Sequence, residues 1–178
     1  MSEDQKPVSK KEIFKSKKNL ILSQDEILEL AVKVIVNPTY GWITAALIIY
    51  GCRPIEIVSL IPSFDGTASV LDFDKNLSGN IRRKLQASPV DFVRKLNIYD
   101  QISQPFFYEN FEDYDYDELN KFMVQWNNWF KKLKSNLELR DIRYYWVERI
   151  LNEGVSKKNV AKYMGISHEE LLKVYVKI

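Results

Sequence analysis

Apolar residues recur at helical spacing along most of this chain and switch to strand-like alternation in one short stretch. The stretch from Ser23 opens with Ser-Gln-Asp-Glu, a capping box in which Ser23 and Glu26 satisfy each other's main-chain amides. Ile27, Leu30, Ala31, Val34 and Ile35 then line one face, and Asn37-Pro38 ends the helix. Tyr40 to Tyr50 is apolar almost all round, which predicts a central helix bounded by Gly51. Pro54 suits the first turn of a short helix carrying Glu56, Ile57 and Leu60. Beyond a turn at Pro62 to Gly66, "TASVLDFDKN" alternates, and "LSGN" is a turn signal before "IRRKLQA". A small antiparallel hairpin or three-stranded sheet is expected there.

Helical periods return afterwards. Pro89 to Leu96 starts a helix, and "DELNKFMVQWNNWFKKLK" is amphipathic with Leu119, Phe122, Trp126, Trp129, Phe130 and Leu133 inside. "LRDIRYYWVERILNEG" reads as a helix ended by Gly154, followed by "SKKNVAKYMGIS" and "HEELLKVYVKI". No internal repeat is seen. The expected fold class is mainly α with a small antiparallel β-sheet, an α+β arrangement.

Composition changes this picture little; charge distribution changes it more. The chain has 178 residues, enough for one domain with an arm, and a formal net charge of +2. From Lys131 onward eleven Lys/Arg face six Asp/Glu, whereas Glu109 to Glu118 holds six acids in ten residues. A cationic region set apart from an acidic one suits a polyanionic partner better than the net charge does. Residues 1–20 hold six lysines and few apolar residues, and read as a flexible basic arm or linker. One cysteine, Cys52, and one histidine, His168, leave no disulfide framework, zinc site or Ser-His-Asp triad to expect. No apolar run reaches a membrane span, and the amino terminus is lysine-rich rather than a signal peptide. A cytoplasmic protein without metal or cofactor is the expectation.

The chemistry-bearing residues interrupt apolar runs. In "ALIIYGCRPIEIVSL", Arg53 and Glu56 sit three apart where leucines would otherwise pack. The segment resembles the first arginine box of the tyrosine recombinases, or phage-type integrases: an apolar helix, a Gly-x-Arg turn, and Glu three residues on. "LRDIRYYWVERILNEGVSKKNVAKYMGISHEELLKVYVKI" is similar to that family's carboxy-terminal box. Arg143 falls on the arginine of its His-x-x-Arg turn and Arg140 on the first histidine. "NEGV" falls on its Gly-Val turn, "YMGIS" on Leu-Gly-His-Ser, and Tyr175 lies nine residues past Ile166, at the place of the nucleophile. About forty residues align without a gap. The family's active-site lysine, carried on a turn of its sheet, would be Lys75, with Lys84 as the alternative.

The resemblance implies a catalytic domain over residues 21–178 that cuts and rejoins double-stranded DNA through a 3′-phosphotyrosine and self-associates on it. Only the catalytic domain of the family is covered. Without metal, guanidinium forks suit the nonbridging oxygens of a phosphodiester, because they stay charged and bind phosphate bidentately. Arg53 and Arg143 would clamp the phosphate, Glu56 would orient Arg53, Arg140 would add a cation, Lys75 would protonate the leaving oxygen, and Tyr175 would attack. Two departures weigh on this: Arg140 and Ile166 replace both family histidines, and general acid–base help is worth about 10² to 10⁴ in rate. His168 either reaches inward in compensation or faces solvent at a helix start. A degenerate module that binds DNA without cutting it is the alternative.

Overall fold

The capping box at Ser23 closes as its residues dictate. In the computed structural model, which describes residues 22–72, 81–101 and 115–176, the Ser23 hydroxyl accepts from the Glu26 amide at 3.2 Å and Glu26 Oε2 accepts from the Ser23 amide at 2.7 Å. Helix α1 (Gln24–Val34) follows and buries Ile27, Leu30, Ala31 and Val34. Helix α2 (Gly41–Tyr50) has every residue buried. Its threonine, Thr44, donates to the Tyr40 carbonyl at 2.7 Å and accepts from Trp126 Nε1 at 2.8 Å, whereas the buried Tyr50 hydroxyl has no hydrogen-bond partner among the described residues.

Gly51 ends α2 in the left-handed region at φ 61°; a Cβ there would lie 2.4 Å from the Trp146 ring. Glycine alone fits both demands. A 3₁₀ turn (Pro54–Ser59) leads to the sheet, resolved as three antiparallel strands in the order β1 (Ile61–Pro62), β2 (Thr67–Leu71) and β3 (Arg82–Gln86). Val70 pairs with Arg83 and Ala68 with Leu85. The "LSGN" turn signal and residues 1–20 lie outside the described residues.

Short helices α3 (Phe92–Lys95) and α4 (Ile98–Gln101) come next; α3 starts two residues past Val90 because Pro89 to Asp91 form a turn first. Helix α5 (Tyr116–Leu133) is capped by Asp115, whose carboxylate accepts from the Asp117 and Glu118 amides. This accounts for the described end of the acidic segment. Leu119, Trp126 and Phe130 are buried and Phe122 and Trp129 half-buried, but Leu133 is 46% exposed, contrary to the periodicity, because the last turn of α5 runs past its packing surface.

A 3₁₀ turn (Leu139–Asp141) opens α6 (Ile142–Asn152), followed by α7 (Lys157–Met164) and α8 (His168–Val174). Two apolar clusters result. The larger is built on α1, α2, the sheet and α5; the smaller holds Trp146, Val147, Ile150, Val160, Ala161, Met164 and Leu171. Polar side chains join them: Trp146 Nε1 donates to the Gln86 carbonyl at 3.2 Å and Arg149 Nη2 to the Ile48 carbonyl at 2.6 Å. Among the described residues, no helix is long and apolar enough to cross a membrane.

Candidate functional site

The turn Gly51-Cys52-Arg53 leaves the end of the buried helix α2, so Arg53 starts from a rigid support. Its backbone is extended (φ −69°, ψ 145°), and its amide donates to Glu56 Oε2 at 2.7 Å, closing the 3₁₀ turn. Glu56 is fully buried, and its other oxygen lies 3.7 Å from Arg53 Nη1. That same oxygen accepts a hydrogen bond from Arg83 Nη2, so Arg53 shares the carboxylate with a second guanidinium and Arg83 is the closer of the two.

Arg143 sits in the first turn of α6, 7% exposed. Its Nη2 donates to the Met164 carbonyl at 3.1 Å, and its guanidinium carbon lies 5.8 Å from the centre of the Tyr175 ring. The Arg143 Nε is buried and has no hydrogen-bond partner among the described residues. Tyr175 caps α8, half-buried against the smaller cluster, with the Tyr144 ring 4.7 Å from its own. Burial pushes the Tyr144 hydroxyl up to about 12; Tyr175 and Asp141 add to the rise, while Arg140 and Arg143 oppose it. Tyr144 therefore stays protonated at neutral pH and supports the Tyr175 ring as a neutral neighbour.

The remaining candidates are more scattered. Arg140 lies on the 3₁₀ turn before α6, 72% exposed, with Nε 2.5 Å from Glu138 Oε2. It lines a broad depression of about 610 Å³ with Pro54, Met123, Val124 and Asn127, and its charge still reaches Tyr144. Ile166 is half-buried against the smaller cluster, an apolar packing role, and His168 is exposed at the start of α8. Lys75 lies outside the described residues; Lys84 is exposed on β3, opposite Ser69.

Cys52 reports how closely the two halves approach. Burial first, then the Glu56 carboxylate, pushes its thiol up to about 12, while Arg83 and Arg143 pull it down. One residue thus feels charges from the 3₁₀ turn, from β3 and from α6. An ordinary thiol titrates near 8.5, and only the thiolate is reactive. Cys52 is expected to resist Ellman's reagent at about pH 8 in the native protein and to react at once in concentrated guanidinium chloride. Rapid reaction of the folded protein would contradict this.

Sequence reading missed Arg83 and Tyr144. Arg83 did leave a signal: in "RRKLQ" the inward positions of the strand are Arg83 and Leu85, so a charge falls on the core face. Nothing in the sequence singled out Tyr144 from its neighbour Tyr145.

No protein-family model matches this chain, and no curated protein matches it. Among solved structures it is similar to selenomethionine-labelled protelomerase TelA covalently complexed with substrate DNA, at a TM-score of 0.53 and 12% identity over 94% of this chain. The chain spans 62% of the length of that protein. At that identity the likeness is one of fold alone: a mainly helical body with a small antiparallel sheet.

Proposed function

We propose that this chain is a DNA-processing domain that cuts and rejoins a strand through Tyr175. The observation that carries the reading is the Arg143 guanidinium: more than nine-tenths buried, its Nε without a partner among the described residues, and set against the ring of Tyr175. A buried donor without an acceptor is costly, by about 1–3 kcal/mol, and a phosphate oxygen would satisfy it. Arg53, 23% exposed by its side chain, would supply a second guanidinium. The neighbour of like fold is described as covalently complexed with substrate DNA, which favours the same partner and chemistry here.

In the proposed step, Tyr175 Oη loses its proton to solvent and attacks phosphorus. The P–O5′ bond breaks, a 3′-phosphotyrosine forms, and the departing oxygen takes a proton, from Lys75 in this reading. Arg53 and Arg143 hold the nonbridging oxygens as charge accumulates on them. A tyrosine hydroxyl ordinarily titrates near 10, so adjacent cations are what make it a nucleophile. Rejoining reverses these steps with a 5′-hydroxyl as attacker. Ile166, packed where the family has a histidine, favours a second reading: a module that grips DNA without cutting it.

Covalent trapping separates the two. The protein is incubated with a pool of labelled nicked duplexes, denatured, and examined for DNA-linked protein, with the attachment mapped by mass spectrometry. An adduct on the peptide holding Tyr175 is expected. Salt-sensitive binding with no adduct would favour the gripping module, and attachment elsewhere would remove Tyr175 from its role.

A further inference from the structure

Arg83 is a buried cation that the proposed chemistry does not use. It lies on β3, 7% exposed, opposite Val70 on the core face of the sheet. Three different elements meet at its guanidinium. Nη2 donates to Glu56 Oε1 on the 3₁₀ turn that carries Arg53, and Nη1 donates to the Tyr163 carbonyl in the last turn of α7. Nε lies 4.0 Å from Asp72 Oδ2 at the end of β2. Gly165 makes room for it: a Cβ at that residue would fall 2.6 Å from Arg83 Nε, and the glycine is left-handed at φ 66°.

We infer that Arg83 is a positioning residue that fixes the distance between the two halves of the site. The turn that carries Arg53 and Glu56 packs into the larger cluster through Ile57 and Val58, whereas α7 and α8, and with them Tyr175, pack into the smaller one. Arg83 is bonded to both sides. The carbonyls ending α7 are orphan acceptors at the negative end of a helix dipole, where a guanidinium is a fitting donor. Met164, the next carbonyl, is taken by Arg143. The two arginines thus grip the same helix end, one from the sheet and one from α6. A shift of α7 against the sheet would carry Tyr175 away from a phosphate held at Arg53, and misplacement by about 1 Å can cost 10²-fold in rate. The inference rests on the proposed cleavage for its consequence, but the tether itself does not.

The alternative role for Arg83 is as charge partner of Glu56 alone, and a cycle of variants tells them apart. Arg83→Met loses both bonds and leaves a buried carboxylate short of a cation, which is strongly destabilising. Glu56→Gln keeps the bond to Tyr163, and the double variant removes the stranded charge without restoring the tether. Hydrogen exchange without DNA is the first readout. Amides of residues 160–176 are expected to exchange about tenfold faster in Arg83→Met and in the double variant, but not in Glu56→Gln, with α1 and α2 unchanged. Recovery of protection in the double variant, or no local loss in either, would overturn the tether. Arg83→Lys, which keeps a charge beside Glu56 with a shorter reach, covers the case in which Arg83→Met does not fold; unchanged protection in it and in the double variant counts against the inference. Single-turnover adduct formation is the second readout. The double variant is expected to be at least about tenfold slower than Glu56→Gln, with duplex affinity within about threefold. Equal rates would reduce Arg83 to a charge partner. If the native protein forms no adduct, the cleavage reading fails while the exchange data still decide the tether.

Discussion

Tyr175→Phe is expected to abolish the covalent adduct, by at least about 10³-fold, while duplex affinity changes less than about threefold. The geometry makes this substitution close to a single-atom experiment. Among the described residues the contacts of Tyr175 are made by its ring: with Tyr144 at 4.7 Å, with the Arg143 guanidinium at 5.8 Å, and with the smaller apolar cluster. Phenylalanine keeps the ring, so α8 and the arginines should stay where they are. The neighbouring Tyr144 hydroxyl is a poorer nucleophile, pushed up to about 12 chiefly by burial. The measurement is a trapping gel beside a fluorescence-anisotropy titration at two salt concentrations. An adduct that survives in Tyr175→Phe would place the nucleophile elsewhere, with Tyr144→Phe the next variant to try. Parallel loss of binding and adduct would mean that the hydroxyl serves DNA recognition.

Much of the body that holds these residues was legible in the sequence, because local rules decide it. Ser23 and Glu26 are three residues apart and announce their own cap. The helix from Tyr40 to Tyr50 is central because nothing polar enough to reject burial lies in it. Gly51 was legible as a break, but not as the residue that lets Trp146 approach, since that contact spans 95 positions. The site was legible only by halves. Arg53 with Glu56, and Arg143 with Tyr175, each lie within one local stretch. What joins them is Arg83, bonded to Glu56 across 27 residues and to Tyr163 across 80. No local rule connects those positions; only sheet register brings them together. Leu133 failed for the opposite reason, because helical periodicity continues past the point where a neighbour exists to cover it.

A large stability effect is also expected at Arg149, a residue outside the proposed chemistry. Arg149→Met should cost about 3 kcal/mol and lower the melting temperature by roughly 6–12 °C. Two effects oppose each other here. Burial lowers the Arg149 pKa to about 10, a sign that the charge is held at some cost, and methionine would remove that cost while filling most of the stem volume. Against this stand four hydrogen bonds: to the Ile48 carbonyl at 2.6 Å, the Ser88 carbonyl at 2.7 Å, the Ser88 hydroxyl at 3.1 Å and Gln24 Oε1 at 3.0 Å. Ile48 lies in the last turn of α2, where carbonyls lack helical partners, so Arg149 serves as a side-chain cap and complements the helix dipole. Removing it strands two buried acceptors, the Ile48 carbonyl at the end of a fully buried helix and the Ser88 carbonyl, at about 1–3 kcal/mol each, which outweighs the relief from desolvation. A urea titration should show a lower midpoint with an unchanged slope. Arg53 follows that helix end by only three residues, so α2 must hold firm for the clamp to be aimed. Below its melting transition, Arg149→Met should therefore bind duplex with an unaltered salt dependence, since no phosphate contact is lost. A shallower salt slope in the folded variant would instead make Arg149 part of the DNA-binding surface.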